Sequence, residues 1–124
     1  MLGKLFHSLK RTTFVPEAFF AYYNRLPERV EVNWERDGEY FIGRVKAGEY
    51  EFMTQGKGVK DFIDMVNDAV CTVYDIPVEY DAIIQKARTY MPDDETLELL
   101  WKGEPAGKSY SFMKSREVLR HALA

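Results

Sequence analysis

Residues 29–70 read RVEVNWERDGEYFIGRVKAGEYEFMTQGKGVKDFIDMVNDAV, and their periodicity changes once, after Gly56-Lys57-Gly58. Ahead of that point Val30, Val32 and Trp34 alternate with Glu31, Asn33 and Glu35. Alternation with period two marks a strand with one buried face and one wet face. Asp37-Gly38 predicts a type I′ hairpin turn, since both residues tolerate positive φ. EYFIGRVK reads as a second strand, and a turn at Gly48 leads into EYEFMTQ as a third. From Val59 the spacing becomes helical: Val59, Phe62, Ile63, Val66, Val70, Val73 and Tyr74 share a face, and Lys60, Asp61, Asp64, Asn67 and Asp68 fall opposite. Pro77 bars continuation of that helix. The expected fold class is α+β, a three-stranded antiparallel meander with one packed helix over residues 29–77.

The flanks read as mainly helical. Pro16 suits a first helical turn, and EAFFAYYNRL runs as a helix up to Pro27. Asp81 is placed to cap a helix through AIIQKARTYM that ends at Pro92, with Ile83, Ile84, Ala87 and Tyr90 or Met91 on one side. Asp93 or Asp94 caps a shorter helix, ETLELLWK, burying Leu97, Leu100 and Trp101 and stopping at Gly103. GEPAGK is a turn-rich break, SYSFM a short strand and KSREVLRHALA a terminal helix. A single domain, residues 1–124, holds the central unit between flanks 1–28 and 78–124, without internal repeats.

With 46% hydrophobic and 15% aromatic residues, a chain of 124 residues can bury a core, which argues against disorder. Phe14, Phe19, Phe20, Tyr22 and Tyr23 read as core packing. Cys71 is the single cysteine, so there is no intramolecular disulfide and no thiolate metal cluster, and a reducing, cytoplasmic setting is expected. No apolar run approaches the about 20 residues that span a bilayer. MLGKLFHSLKR lacks the apolar block of a secretory signal. It reads as a short basic amphipathic helix that docks on the domain, frays, or touches a membrane surface.

The net charge of −3 is unevenly spread. Residues 1–29 carry five basic and two acidic side chains, residues 30–80 five and eleven, and residues 81–124 seven of each. Phosphate backbones are gripped by Lys and Arg, so the central unit is poorly suited to nucleic acid. It suits a basic protein partner, or serves as a solvated face that keeps the chain soluble.

No residue set names a reaction. His7 and His121 stand at opposite ends, without carboxylates at ligand spacing. Cys71 has no reactive motif around it. Gly56-Lys57-Gly58 is no phosphate-binding loop and reads as a tight strand-to-helix turn. Asp61, Asp64 and Asp68 share one helical face, but a magnesium site would want carboxylates converging from a strand. Neither a catalytic residue, a metal nor a cofactor is expected.

Taken as one unit, residues 29–70 resemble the HicB-like family. The resemblance rests on Asp37-Gly38 at the first hairpin, Tyr40-Phe41 in the second strand, Thr54-Gln55-Gly56 at the end of the third, and the helix from Phe62 to Val70. The chain has Lys46-Ala47-Gly48 where that family usually has a Pro-x-Leu-Pro-Gly turn, and Gly58 where it usually has a Ser or Thr cap. The resemblance implies a truncated RNase H-like fold without catalytic carboxylates. It also implies an antitoxin-like role, in which the partner is a small basic RNA-cleaving toxin of HicA type. The segment SYSFMKSREVLRHALA is too short for a ribbon-helix-helix, so autorepression does not carry over.

The expected function is a non-enzymatic protein-binding module, with Glu49, Glu51, Asp61, Asp64 and Asp68 as partner-binding residues. One alternative is a self-associating regulatory domain that forms homo-oligomers. The other is a nucleic-acid binder using the basic N-terminus with Lys114, Arg116 and Arg120.

Overall fold

The computed structural model describes residues 15–112, 114 and 115, and the side chains of residues 15–109. It is an α+β fold. Helix α1, Pro16–Arg25, leads into strands β1, Arg29–Asp37, β2, Tyr40–Ala47, and β3, Tyr50–Lys57. Helices α2, Val59–Val73, and α3, Val78–Ala87, follow, then a two-residue strand β4, Arg88–Thr89. Helix α4, Asp94–Lys102, and strands β5, Ala106–Phe112, and β6, Lys114–Ser115, complete the order.

The meander is present and antiparallel, and it is extended. β5 pairs antiparallel with β1, giving a four-stranded sheet in the order β3-β2-β1-β5. The SYSFM strand therefore begins earlier, at Ala106, and joins the central sheet. Both hairpin loops are a Gly-Glu pair, Gly38-Glu39 between Asp37 and Tyr40 and Gly48-Glu49 between Ala47 and Tyr50. Only the glycine of each has positive φ, at 62° and 60°. The first turn thus has the φ pattern of type II′, with glycine in the first central position, and not the expected type I′ at Asp37-Gly38.

Helix α2 lies across β3 and β2 with Val59, Phe62, Ile63, Val66, Val70 and Cys71 buried. Its Phe62 ring packs at a tilt against Phe41, and Phe41 meets Trp34 edge to face, at centroid distances of 5.7 and 5.8 Å. Val30, Val32 and Trp34 are at most 1% exposed, as their alternation required. Gly56 is dictated by close approach, because a Cβ there would stand 2.5 Å from the Phe62 backbone. Gly58 then turns the chain into α2 with φ 84°.

The flanking helices differ from expectation in their ends. Helix α1 starts at Pro16 and buries Phe19, whereas Phe20 is 42% exposed. Helix α3 begins at Val78 with Pro77 at the N-cap, so Asp81 is not its cap but lies in its first turn. It stops at Ala87, ahead of Pro92, because Arg88 turns extended and Thr89 pairs with Lys114 in β6. Arg88 also donates to the carbonyls of Tyr23, Leu26 and Pro27, fastening the end of α1. In α4, Asp93 is the cap and accepts from the Thr96 N–H at 2.7 Å, and Gly103 closes the helix in the left-handed region. Leu100 is buried and Leu97 half-buried, but Trp101 is 70% exposed and does not belong to the core. The readings of the N-terminal segment, Phe14, His7 and His121 lie outside the described residues. So does most of the expected terminal helix, of which Lys114 and Ser115 form β6 instead.

Candidate functional site in the groove between α2 and α3

Helices α2 and α3 leave a groove of about 530 Å³ between them, lined by Asp64, Asn67 and Asp68 of α2 and by Val78, Asp81, Ala82, Gln85 and Lys86 of α3, with Ile63, Thr89 and Met91. Helical spacing sets Asp64 and Asp68 one turn apart on one rim, and Asp81 and Gln85 one turn apart on the other. Gln85 Nε2 joins the rims, donating to Asp68 Oδ1 at 2.7 Å and to Asp81 Oδ1 at 2.6 Å. One neutral amide thus holds two carboxylates in place without cancelling their charge. The other rim carboxylate, Asp64, faces Lys60 at 3.1 Å in an exposed pair, which contributes little.

Beneath the carboxylates lies Cys71, buried and unpaired by disulfide. Burial pushes its thiol up to about 12, and the neighbouring Asp81 and Asp68 carboxylates push in the same direction. A thiol held protonated in this way is no nucleophile at neutral pH. Among the described residues, no group of three or more His, Cys, Asp or Glu side chains is arranged to hold a metal ion.

The groove's apolar part is contributed by Ile63, Ala82, Met91 and Val78, the last 80% exposed on the first turn of α3. An acidic rim with an apolar lining can receive a segment that is both basic and amphipathic.

The five acidic residues singled out by sequence do not form one patch. Asp64 and Asp68 line the groove. Asp61 turns back to accept the Lys57 N–H at 2.8 Å, so it serves the start of α2. Glu49 sits in the second hairpin loop beside Tyr74, whose phenol is pushed up by burial and then by the Glu49 charge. Glu51 is exposed on β3, paired in register with Lys46 on the sheet face turned away from α2. Glu31, Asn33 and Glu35 share that outer face, remote from the acidic helix stripe. Lys114 lies in β6 opposite Thr89, and Arg116 and Arg120 lie outside the described residues. Asp81 and Gln85 were not singled out as binding residues. Their one-turn spacing was legible, but their meeting with Asp68 depends on how two helices pack.

Two other clefts carry mixed charge. One, of about 560 Å³, gathers Arg25, Arg29 and Lys46 with Glu28 and Glu31. Another, of about 390 Å³, lies beside Trp101 with Arg36, Lys57 and Glu39. The α2–α3 groove differs from both in holding three carboxylates against a single lysine. No helix among the described residues is long and apolar enough to cross a membrane. Comparison with protein-family models, curated proteins and solved structures found no match to this chain.

Proposed function

We propose that the chain is a non-enzymatic binding module that receives a basic protein segment along the α2–α3 groove. The observation that carries this reading is the meeting of Asp64, Asp68 and Asp81 from two helices on one groove, two of them held by Gln85. Carboxylates fixed before binding lose little side-chain freedom when a cation arrives, which favours affinity as well as encounter. In its specific form the reading is antitoxin-like and cytoplasmic: the partner is a small basic RNA-cleaving protein, silenced by being covered and not by chemistry of this chain.

The test is titration of the isotope-labelled protein with an amphipathic helical peptide rich in Lys and Arg, followed by NMR. Amide shifts should concentrate at Asp64, Asp68, Val78, Asp81 and Gln85, and should vanish in the Asp64→Asn, Asp68→Asn, Asp81→Asn variant. Shifts confined to other surfaces, or unchanged in the variant, would place binding elsewhere.

A further inference from the structure

Among the described residues strand β3 is the edge of the sheet, eight residues long, without proline and in unbroken register with β2. A two-residue hairpin makes its flanking residues, Ala47 and Tyr50, a hydrogen-bonded pair. Counting along the strand, Phe52, Thr54 and Gly56 then direct their peptide groups at β2, and Glu51, Met53, Gln55 and Lys57 direct theirs outward. The Lys57 N–H is taken by Asp61, which leaves the outward groups of Glu51, Met53 and Gln55 and the Lys57 carbonyl. Such an edge is a template for another strand unless its side chains forbid pairing.

The side chains of β3 favour one particular strand: its own copy. We propose that β3 pairs antiparallel with β3 of a second copy of this chain, about a two-fold axis at Thr54. In this register Glu51 of each copy stands opposite Lys57 of the other, Met53 opposite Gln55, and Phe52 opposite Gly56. Glu51 is exposed, and among the described residues Lys57 makes one ion contact, exposed and 3.6 Å long, to Glu39, so both can form the new pairs. Met53, 62% exposed, gains cover. The register centred on Met53 would pair Lys57 with Glu49, which lies in the hairpin loop, and the one centred on Gln55 would carry Glu51 past the strand end. Only the Thr54 register keeps Glu51 opposite Lys57 on both sides of the axis within the strand, with hydrogen bonds through Met53, Gln55 and the Lys57 carbonyl. An isologous two-fold contact of this kind closes and forms no fibre. It joins two four-stranded sheets into one, and none of the residues from Glu51 to Lys57 lines the α2–α3 groove, so it does not rest on the proposed function.

Sedimentation of the full chain over micromolar to millimolar concentrations tests this. Wild type should show a concentration-dependent dimer. Glu51→Lys and Lys57→Glu should each weaken it about tenfold or more, since every variant homodimer places like charges opposite each other twice. An equimolar mixture of the two variants should restore the dimer, because in the mixed pair the swapped side chains face each other and the native Lys57 of one faces the native Glu51 of the other. A wild type that stays monomeric throughout, single variants that dimerise like wild type, or a mixture that does not recover would each overturn the proposal.

Discussion

The side-chain amide of Asn67 and the peptide of Tyr90 form a reciprocal pair: the Tyr90 N–H donates to Asn67 Oδ1 at 2.8 Å, and Asn67 Nδ2 donates to the Tyr90 carbonyl at 3.0 Å. The same Nδ2 also reaches the Ile63 carbonyl at 3.1 Å. Asn67 is 5% exposed, so it acts as a piece of backbone inserted between α2 and the segment after α3. It supplies partners that the chain at Tyr90, past its last helical turn, could not find within α3.

Asn67→Ala should therefore lower stability by about 1–3 kcal/mol in urea unfolding, because the buried Tyr90 N–H loses its partner, whereas the Tyr90 carbonyl still accepts from the Thr89 hydroxyl at 3.3 Å. Asn67→Asp keeps the shape but cannot donate to the carbonyls of Ile63 and Tyr90, and should be destabilising as well. A loss under about 1 kcal/mol for the alanine variant would mean that Tyr90 finds other partners.

The two tryptophans should behave in opposite ways. Trp34, 1% exposed, lies at the bottom of the sheet–helix core, and Trp34→Ala should cost about 3–5 kcal/mol. Phe62→Ala should fall in the same range. Trp101, 70% exposed, should cost under about 0.5 kcal/mol when replaced by alanine. Iodide should quench the emission of Trp101 and spare that of Trp34. Gly107→Ala offers an independent check, since its Cβ would run into the indole of Trp34, and overpacking of this kind costs about 1–3 kcal/mol.

These residues also show what the sequence could and could not reveal. Val30, Val32 and Trp34 declared the inner face of β1 because strand burial alternates locally, and the helical spacing of Phe62, Val66 and Val70 did the same for α2. By residue type Asn67 belongs to the polar side of α2, yet its burial depends on Tyr90, which is distant in sequence and fixed only by packing. Hydrophobicity places Trp101 in the core, although nothing folds over the outer side of α4 among the described residues. The strand at Ala106–Phe112 was legible in part, but its pairing with β1 is a long-range choice that no local pattern encodes. The candidate site divides in the same way: Asp64 and Asp68 were visible as a stripe, and Asp81 became part of it only through the crossing of α2 and α3.

Cys71 gives the fold a pH signature. Its thiol ordinarily releases a proton near 9.0, and in the folded chain burial raises this to about 12. Between these values the unfolded thiol binds fewer protons than the folded one, so stability should fall as pH rises from about 9 to about 12, with no contribution from this group below that window. Tyr90, pushed by burial from 10.0 to about 12, adds to the fall in the upper part of the window. Urea midpoints measured across alkaline pH should decline more gently in Cys71→Ala than in wild type. At pH 8 the native thiol should resist alkylation until urea exposes it. Rapid labelling of the folded protein would contradict the buried, protonated state.

The central claim is that Asp64, Asp68 and Asp81 act together to draw in a basic partner. Stopped-flow association of the Lys- and Arg-rich amphipathic peptide at low and high salt measures this directly. Complementary charges mainly accelerate encounter, and salt screens them over about 8 Å at physiological ionic strength. The Asp64→Asn, Asp68→Asn, Asp81→Asn variant should associate about tenfold more slowly than wild type at low salt, and the difference should shrink at high salt. The control variant Glu49→Gln, Glu51→Gln, Asp61→Asn removes the same number of charges away from the groove, and should keep most of the wild-type rate. Equal slowing by both variants, or an unchanged low-salt rate in the first, would contradict the account and reduce the groove's acidity to simple solvation.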